Sequence, residues 1–195
     1  MHQKTSALLA ALIVAVAGAA RADVSISNKP TQNMDCQAGV CTATAKKAVL
    51  NVGDLQAMLS SGDVTVKTGA LATDIEITQP LTWSNTSRLT LDAQQSVIVK
   101  KPVTVAGFGG LTITYEHQSG DNDLYLFGKG QVTFADVSSS LIINGLSFTL
   151  KADLPSLASA MNANQKGAFA LPTTMTPWWS TDIRLSSLSE EISRD

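Results

Sequence analysis

Apolar residues recur at a nearly fixed distance along this chain, and that distance limits the folds it can adopt. From residue 64 to residue 150, short stretches of alternating apolar and polar residues are separated by turn-forming residues. The sequence numbers of equivalent stretches differ by 21 or 22 in six cases: Ile75–Val97, Leu81–Val103, Leu89–Leu111, Leu111–Val132, Val103–Leu124 and Leu124–Leu146. An internal period of this size is typical of architectures built by stacking one structural unit on the next.

The alternation within each stretch predicts strands with one buried face, because successive side chains of a strand point to opposite sides. Three short strands in each repeat, with no helix between them, fit one coil of a parallel β-helix whose coils pack on one another. An immunoglobulin-like sandwich is the alternative; it explains many short strands but not the repeat. The predicted fold class is therefore all-β, a short parallel β-helix over residues 46–171 with small capping helices.

Two helices are expected at the ends of this β-helix, where unpaired strand edges would otherwise invite aggregation. The first spans residues 54–61, with Asp54 as its N-cap, Leu55 and Leu59 on one face, and Gly62 ending it. The second begins after Asp153, with Pro155 in its first turn, and carries apolar residues at helical spacing up to Met161. Residues 168–171 are predicted to form one more strand.

The two termini differ in composition from the repeat. Residues 1–22 resemble a secretory signal: Lys4 precedes the apolar run Ala7–Ala20, and Ala20-Arg21-Ala22 forms a small-x-small cleavage site. The run is too short to span a bilayer. Residues 23–45 are predicted to be a polar, irregular segment, and residues 172–195 an irregular, loosely attached tail.

Cys36 and Cys41 are the two cysteines of the chain. Behind a cleaved signal they meet an oxidising environment, so we expect them to form a local disulfide, with Gly39 supplying the tight turn. A metal or redox pair is the alternative, but the spacing is not Cys-x-x-Cys and no histidine lies nearby.

Charge and hydropathy exclude several classes of protein. The formal net charge is −2, and it becomes −4 once Lys4 and Arg21 leave with the signal. No positive field is therefore present to collect the phosphates of a nucleic acid. No later apolar run approaches the ~20 residues of a membrane span, and aliphatic residues recur too often for a disordered chain.

No catalytic constellation stands out in the sequence. His117 is the one histidine outside the signal, and its neighbours Tyr115 and Glu116 indicate a solvated strand end. β-Helix polysaccharide lyases and hydrolases cluster carboxylates or basic residues on an exposed strand face. Most acidic residues here are scattered along the repeat. Arg88 and Asp92, however, flank one strand and are expected to lie near Glu116 on the next coil. This possible cluster is the weak basis of the alternative that the protein is an enzyme.

Other motifs have a structural interpretation beside the functional one. The loop 120–123 is rich in oxygen ligands for calcium but lacks the full pattern of a calcium loop, so a solvated turn is favoured. The glycine-rich segment 107–110 leads into a strand instead of a helix, which favours a bend between coils over a phosphate loop. Asn85 begins a formal glycosylation acceptor. Trp178 and Trp179 either stack on sugars or a partner, or cover the open end of the solenoid, or belong to a sequence never selected to fold, and the last two alternatives are favoured.

Several phrases of this sequence resemble the N-terminal region of large filamentous-haemagglutinin-like adhesins of Gram-negative bacteria. The phrases are Leu89–Ala93, Val97–Val99, Gly109–Ile113, Gly130–Phe134, Ser140–Gly145, Leu157-Ala158 and Gly167–Leu171. The resemblance covers roughly residues 36–171 and implies a right-handed parallel β-helix, export, and a role in adhesion. The Asn-Pro-Asn type motif of two-partner secretion domains is missing, and the repeats are few, so a truncated adhesin and a free-standing cap module both remain open.

Together these features predict a secreted or cell-surface, non-enzymatic protein that presents a Ser/Thr-rich surface to glycans or proteins. Without an outer-membrane partner it would stay in the periplasm. The alternative is a small carbohydrate-active β-helix enzyme, a polysaccharide lyase or hydrolase. We predict no catalytic, cofactor-binding or metal-binding residue, no nucleic-acid partner and no membrane span after signal cleavage. The sequence identifies neither the ligand nor the oligomeric state nor a secretion partner.

Overall fold

A computed structural model describes residues 23–116 and 123–172. The first eight strands are β1 Asp23–Ser27, β2 Met34–Gln37, β3 Val40–Ala43, β4 Ala48–Asn51, β5 Val64–Lys67, β6 Asp74–Ile77, β7 Leu81–Trp83 and β8 Arg88–Asp92. The others are β9 Val97–Val99, β10 Val103–Val105, β11 Gly110–Thr114, β12 Leu124–Leu126, β13 Val132–Phe134, β14 Ser140–Ile143, β15 Leu146–Leu150 and β16 Phe169–Ala170. Two helices accompany them, α1 Val52–Ser61 and α2 Leu154–Ala163.

The strands form three sheets that wrap around one core. Sheet A has the order β12-β9-β6-β1-β4, sheet C the order β13-β10-β7, and sheet B the order β16-β15-β14-β11-β8-β5-β3-β2. The chain visits sheets A, C and B in turn, with parallel pairing from coil to coil. Three coils contain three strands each, and in a fourth, β4-α1-β5, the helix replaces the strand of sheet C. The prediction of an all-β parallel β-helix with small helices is confirmed.

Alternate residues of each strand fill the interior. In sheet B, Val64, Leu89 and Leu111 follow one another in register and are at most 1% exposed. Leu81 and Val103 form the equivalent pair in sheet C and are completely buried. Because each aliphatic side chain is covered by the coils above and below it, neighbouring coils stabilise one another through apolar burial.

The predicted period holds for only part of the chain. Ile75 pairs with Val97, Leu81 with Val103, and Leu89 with Leu111, as predicted. In the next coil the sequence numbers of the paired positions differ by 27, 29 and 30: Val97–Leu124, Val103–Val132 and Leu111–Leu141. The other three predicted pairings are therefore wrong: Leu111–Val132, Val103–Leu124 and Leu124–Leu146.

Longer corners explain this change of period. The corner from sheet B to sheet A has four residues after β8 but nine after β11, which adds five residues. The following corners grow from three residues to five and from four to five. These additions raise the spacing from 22 to 27, then 29, then 30, and they place Leu141 instead of Val132 on Leu111.

The prediction of an irregular segment at residues 23–45 is wrong. The strand β1 lies between β4 and β6 and pairs with both of them in parallel, and its residues Val24 and Ile26 are fully buried. The strands β2 and β3 form an antiparallel hairpin at the edge of sheet B. The alternation in Val24–Ser27 is too short to stand out beside the polar residues that follow, although it obeys the same rule as the repeat.

The helix α1 closes the end of the solenoid beside β7, where Leu55 and Leu59 are completely buried, as predicted. Its N-cap is Asn51, which corrects the assignment of Asp54. The side-chain oxygen of Asn51 accepts hydrogen bonds from the backbone N–H groups of Gly53 and Asp54 at 2.8 and 3.2 Å, so the helix begins two residues earlier than expected. Gly62 ends it, as predicted.

At the other end, Asp153 caps α2 as predicted, and Ser156 completes a capping box with it. The strand predicted over residues 168–171 is present as β16, which pairs with β15. The signal at 1–22, the tail beyond Pro172, His117 and the two tail tryptophans lie outside the described residues. No helix within the described ranges is long and apolar enough to cross a membrane.

Candidate binding surface on sheet B

The outer side of sheet B carries a column of threonines, which we call the threonine face. Thr65, Thr90 and Thr112 come from β5, β8 and β11, stand in register and are each half-buried. Neighbouring strands are about 4.8 Å apart, so the column repeats one hydroxyl and one methyl group at that distance. The alternation that buries Leu89 and Leu111 places these threonines outward, since successive side chains of a strand point to opposite faces.

Arg88 lies flat on one side of the threonine face. Its guanidinium donates a hydrogen bond to Oγ1 of Thr112 at 3.0 Å, and it crosses over Gly110, which is in register with Arg88. A Cβ atom at Gly110 would lie 2.9 Å from Cζ of Arg88, so the missing side chain leaves the space that the guanidinium occupies. The arginine is thereby held in one place with several N–H donors still available to a ligand.

Charged residues border both sides of this face. On the side of Arg88, Oδ1 of Asp63 accepts a hydrogen bond of 2.8 Å from the Arg88 backbone N–H. On the other side, Lys67 and Asp92 are in register, and Nζ of Lys67 lies 3.4 Å from Oδ2 of Asp92. The two side chains of this ion pair are 43% and 41% exposed, so it offers opposite charges to solvent more than it stabilises the fold.

The expected approach of Arg88, Asp92 and Glu116 does not occur. Arg88 and Asp92 lie at opposite ends of β8 and have different partners, Thr112 and Lys67. Asp92 is in register with Thr114, and the exposed Glu116 follows two residues later. Within the described residues no hydrogen bond or ion pair joins any two of the three. The predicted convergence of Arg88, Asp92 and Glu116 is therefore wrong, and the basic partner of Asp92 is Lys67.

The disulfide between Cys36 and Cys41 is present, as predicted. It links β2 and β3 directly across their hairpin, whose turn contains Gly39 with a φ of 80°. Cys41 is fully buried, and its sulfur lies 3.8 Å from the sulfur of Met58 on α1. The bond therefore anchors the hairpin to the core at the end closed by the helix.

A buried polar column at the corner leading into sheet A was not predicted. Asp74, Ser96 and Asp123 occupy equivalent positions on three coils and are at most 6% exposed. Oδ1 of Asp74 accepts from the backbone N–H of Ser96 at 3.0 Å, and Oγ of Ser96 accepts from that of Asp123 at 3.3 Å. These side chains bind backbone groups of the next coil, so the column is structural.

Tyr115 joins this corner, which corrects the prediction of a solvated strand end for this residue, whereas the neighbouring Glu116 is exposed. Its side chain is only 8% exposed. Burial raises the pKa of Tyr115 well above its usual value, and the charge of Asp123 and a hydrogen bond to that carboxylate raise it further. Its role is consistent with packing, because a buried phenol needs such a partner for its hydroxyl.

The remaining motifs have structural surroundings where they are described. The side-chain amide of Asn85 donates to the carbonyl of Leu59 at 2.7 Å and its oxygen accepts from the N–H of Ser87. Gly107 lies in a corner where a Cβ atom would be 2.1 Å from the carbonyl oxygen of Ser84, as expected for a bend between coils. Residues 120–122 of the acidic loop lie outside the described ranges. Among the described residues, no three His, Cys, Asp or Glu side chains are grouped to hold a metal ion.

The fold places the chain in the class of parallel β-helix proteins, which includes enzymes as well as binding proteins. No family model, no curated protein and no solved structure matches this chain.

Proposed function

We propose that this chain is a secreted, non-enzymatic β-helix of the adhesin type, which binds a glycan or a protein through the threonine face. The observation that carries the proposal is the in-register column of Thr65, Thr90 and Thr112 with Arg88 fixed beside it. The resemblance of residues 36–171 to adhesin sequences points to the same use, as does the signal-like stretch at 1–22.

The chemistry of this face suits a repetitive ligand. Each threonine offers a hydroxyl that both donates and accepts, next to a methyl group, and the strands repeat this pair along the solenoid axis. A glycan chain, or an extended segment of protein, also repeats its polar groups along one direction. Several weak contacts between the threonines and successive units of such a ligand then add up to a useful binding affinity.

Arg88 supplies the directional part of the recognition. A guanidinium holds five N–H donors in a fixed plane, and only one of its nitrogens is engaged with Thr112. The ion pairs within the described residues join Lys67 to Asp92 and Lys100 to Glu76, so neither neutralises Arg88. Because the arginine is already positioned, a ligand would order it at little cost in side-chain entropy.

The proposal is tested with purified residues 23–195 on arrays of immobilised glycans and of extracellular-matrix proteins. Thr90→Arg places a bulky charge in the middle of the threonine face and should abolish binding. The matched control is Thr104→Arg, at an equally half-buried threonine in the middle of β10 on the outer side of sheet C. Retained binding by Thr90→Arg, or equal loss in both variants, would contradict the proposed surface.

The same preparation tests the enzyme alternative. Polysaccharides are incubated with the protein, and new reducing or unsaturated ends are measured. We expect none to form. Degradation that disappears in Asp92→Ala, while Glu76→Ala on sheet A retains it, would overturn the adhesin proposal.

A further inference from the structure

A row of three residues crosses sheet B along the Arg88 side of the threonine face. Arg88, Gly110 and Ser140 belong to β8, β11 and β14 and stand in register with one another. In each strand the next residue is a buried leucine, so all three positions of the row face outward. The row therefore places a cation, a position without a side chain, and a hydroxyl next to one another on the outer side of the sheet.

The guanidinium of Arg88 fills the space above Gly110. A Cβ atom at this glycine would lie 2.9 Å from Cζ of Arg88, 2.9 Å from one terminal nitrogen and 3.0 Å from the other. Gly110 is accordingly buried, although it belongs to the outward row. Because neighbouring strands are about 4.8 Å apart, the guanidinium reaches the middle of the row and stands one strand away from Ser140.

Most hydrogen-bond donors of this row are unused. The side chain of Arg88 makes one hydrogen bond with the described chain, to Oγ1 of Thr112, although a guanidinium carries several N–H groups in one plane. The hydroxyl of the half-buried Ser140 has no hydrogen-bond partner in the part of the chain that the structure describes. Both groups therefore remain available to a ligand that supplies acceptors.

The charge of Arg88 is not neutralised by an acidic side chain. Asp63, which lies close to it, accepts a hydrogen bond from the backbone N–H of Arg88 at 2.8 Å, and no ion pair joins the two side chains within the described ranges. A guanidinium held in a fixed position with free N–H groups forms its strongest hydrogen bonds with an anionic acceptor.

We propose that Arg88 and Ser140 bind one carboxylate group of an acidic sugar, a sialic acid or a uronic acid, in a glycan that lies along the threonine face. This inference rests on the proposed function, because the same face has to bind the glycan. A carboxylate is planar like the guanidinium, so two parallel N–H···O bonds can join them. The hydroxyl of Ser140 then donates to a lone pair that the arginine leaves free.

The overall charge favours a ligand with a single carboxylate over a polyanion. The chain carries 16 acidic and 14 basic groups, so it has no positive field that would collect a polymer of negative charges. A sulfated or phosphorylated polymer would also bring its repeated charges close to Asp63 and Asp92 at the borders of the threonine face. One carboxylate beside Arg88 avoids that repulsion.

The surroundings of the row favour a sugar over an acidic peptide as the carrier of the carboxylate. Thr90 and Thr112 are in register beside the row and offer hydroxyl and methyl groups, which suit the O–H and C–H groups of a sugar ring. An extended peptide binds best at a free strand edge, where its backbone can pair. The strand β8 is already paired on both sides, with β5 and with β11.

The test compares sugars that differ only in the charge. Residues 23–195 are titrated by NMR with 3′-sialyllactose against lactose, and with digalacturonic acid against its dimethyl ester. We expect at least one acidic sugar to bind about tenfold more tightly than its neutral partner, because the carboxylate adds charge-assisted hydrogen bonds. The pair that shows this preference identifies the source of the carboxylate.

Three variants locate the contact. Arg88→Gln removes the charge, and the acidic sugar should then bind no more tightly than the neutral one. Arg88→Lys keeps the charge but loses the planar pair of donors, so part of the preference should remain. The matched control is Lys101→Gln, which removes one positive charge from the corner between β9 and β10, outside sheet B, and should retain the full preference. Urea midpoints show whether each variant is folded.

Two results with the unmodified protein would overturn the inference: equal affinity for the acidic and the neutral sugar in both pairs, and binding to none of the four. A preference that survives in Arg88→Gln, or that Lys101→Gln reduces to the same extent, would also contradict it. The proposed function fails separately. A neutral glycan that binds the parent, is lost in Thr90→Arg and is indifferent to Arg88→Gln would support the threonine face and exclude the carboxylate site.

Discussion

The guanidinium of Arg88 donates a hydrogen bond to Oγ1 of Thr112 from the neighbouring strand, 3.0 Å away. This bond crosses directly above Gly110, where any side chain would meet the guanidinium. The glycine therefore fixes the arginine indirectly, by leaving the position between the two partners empty. The proposed binding surface depends on this pairing more than on any single charged residue.

Replacing Gly110 tests that relationship. In Gly110→Ala the new Cβ lies 2.9 Å from Arg88 Cζ, so the flexible guanidinium should swing away and lose Thr112. We expect the Arg88 side-chain N–H protons to exchange faster with solvent, as measured by NMR. Gly62→Ala is the matched control, because nothing lies within 4 Å of its added Cβ. Unchanged exchange in Gly110→Ala would mean that the glycine does not position Arg88.

The inward column of sheet B predicts a gradient of stability along the solenoid. Leu111→Ala removes a side chain that coils on both sides cover, and should lower the free energy of unfolding by about 2–5 kcal/mol. Leu141 lies in the last three-strand coil and is 9% exposed, so Leu141→Ala should cost less. Urea unfolding of both variants measures the difference. A greater loss in Leu141→Ala would contradict the order of coverage.

Much of this architecture was predictable from the sequence, because corners of equal length keep the distance between equivalent strands constant along the chain. Positions one period apart meet wherever the corners keep their length, which applies to Leu89 with Leu111, and also to Arg88 with Gly110 and Thr90 with Thr112. The threonine face could therefore have been found from the spacing alone.

The rest depends on lengths and pairings that local pattern does not encode. The longer corner of nine residues after β11 shifts the register of the next coil. The alternation of apolar and polar residues in the strands does not predict the length of this corner. Likewise, β1 pairs with β6 although four other strands and a helix separate Val24 from Ile75 in the sequence. Asp74 can be buried because its carboxylate accepts a hydrogen bond from the backbone N–H of Ser96. That contact joins two coils, so the local sequence around Asp74 does not predict it.

The cap of α1 provides a separate test of a corrected residue. Asn51→Ala removes the oxygen that accepts from Gly53 and Asp54, and should cost about 1 kcal/mol. Asp54→Ala leaves that cap in place and removes a favourable charge in the first turn together with an exposed hydrogen bond donated by Oγ1 of Thr31, so its cost should be smaller. Urea titrations of the two variants decide between them. A larger effect for Asp54→Ala would restore the assignment made from sequence.

The disulfide should stabilise the protein modestly, because it closes a very short loop. The pair Cys36→Ala with Cys41→Ala removes the bond while leaving small apolar side chains. We expect a loss of about 2 kcal/mol in the free energy of unfolding, since the stabilisation grows with loop length. Dithiothreitol should lower the stability of the unmodified protein toward that of the variant and leave the variant itself unchanged. Sensitivity of the variant to the reductant would point to another cause.

Tyr115 predicts how stability changes at high pH. Burial, then the charge of Asp123, raise the pKa of this phenol in the folded protein above its usual value of 10.0. The unfolded chain releases the proton near that value, whereas the folded chain retains it. The stability contributed by the neutral phenol is therefore complete below about pH 10 and falls as the pH rises toward the folded pKa.

Tyr115→Phe isolates this contribution. The variant loses a hydroxyl at a position that is 8% exposed, so it should be less stable than the parent at pH 8. Between pH 9.5 and 11 the parent should lose stability more steeply than the variant, because phenylalanine releases no proton on unfolding. Urea midpoints measured over this pH range for both proteins provide the comparison. Parallel curves would show that the ionisation of Tyr115 is not linked to unfolding.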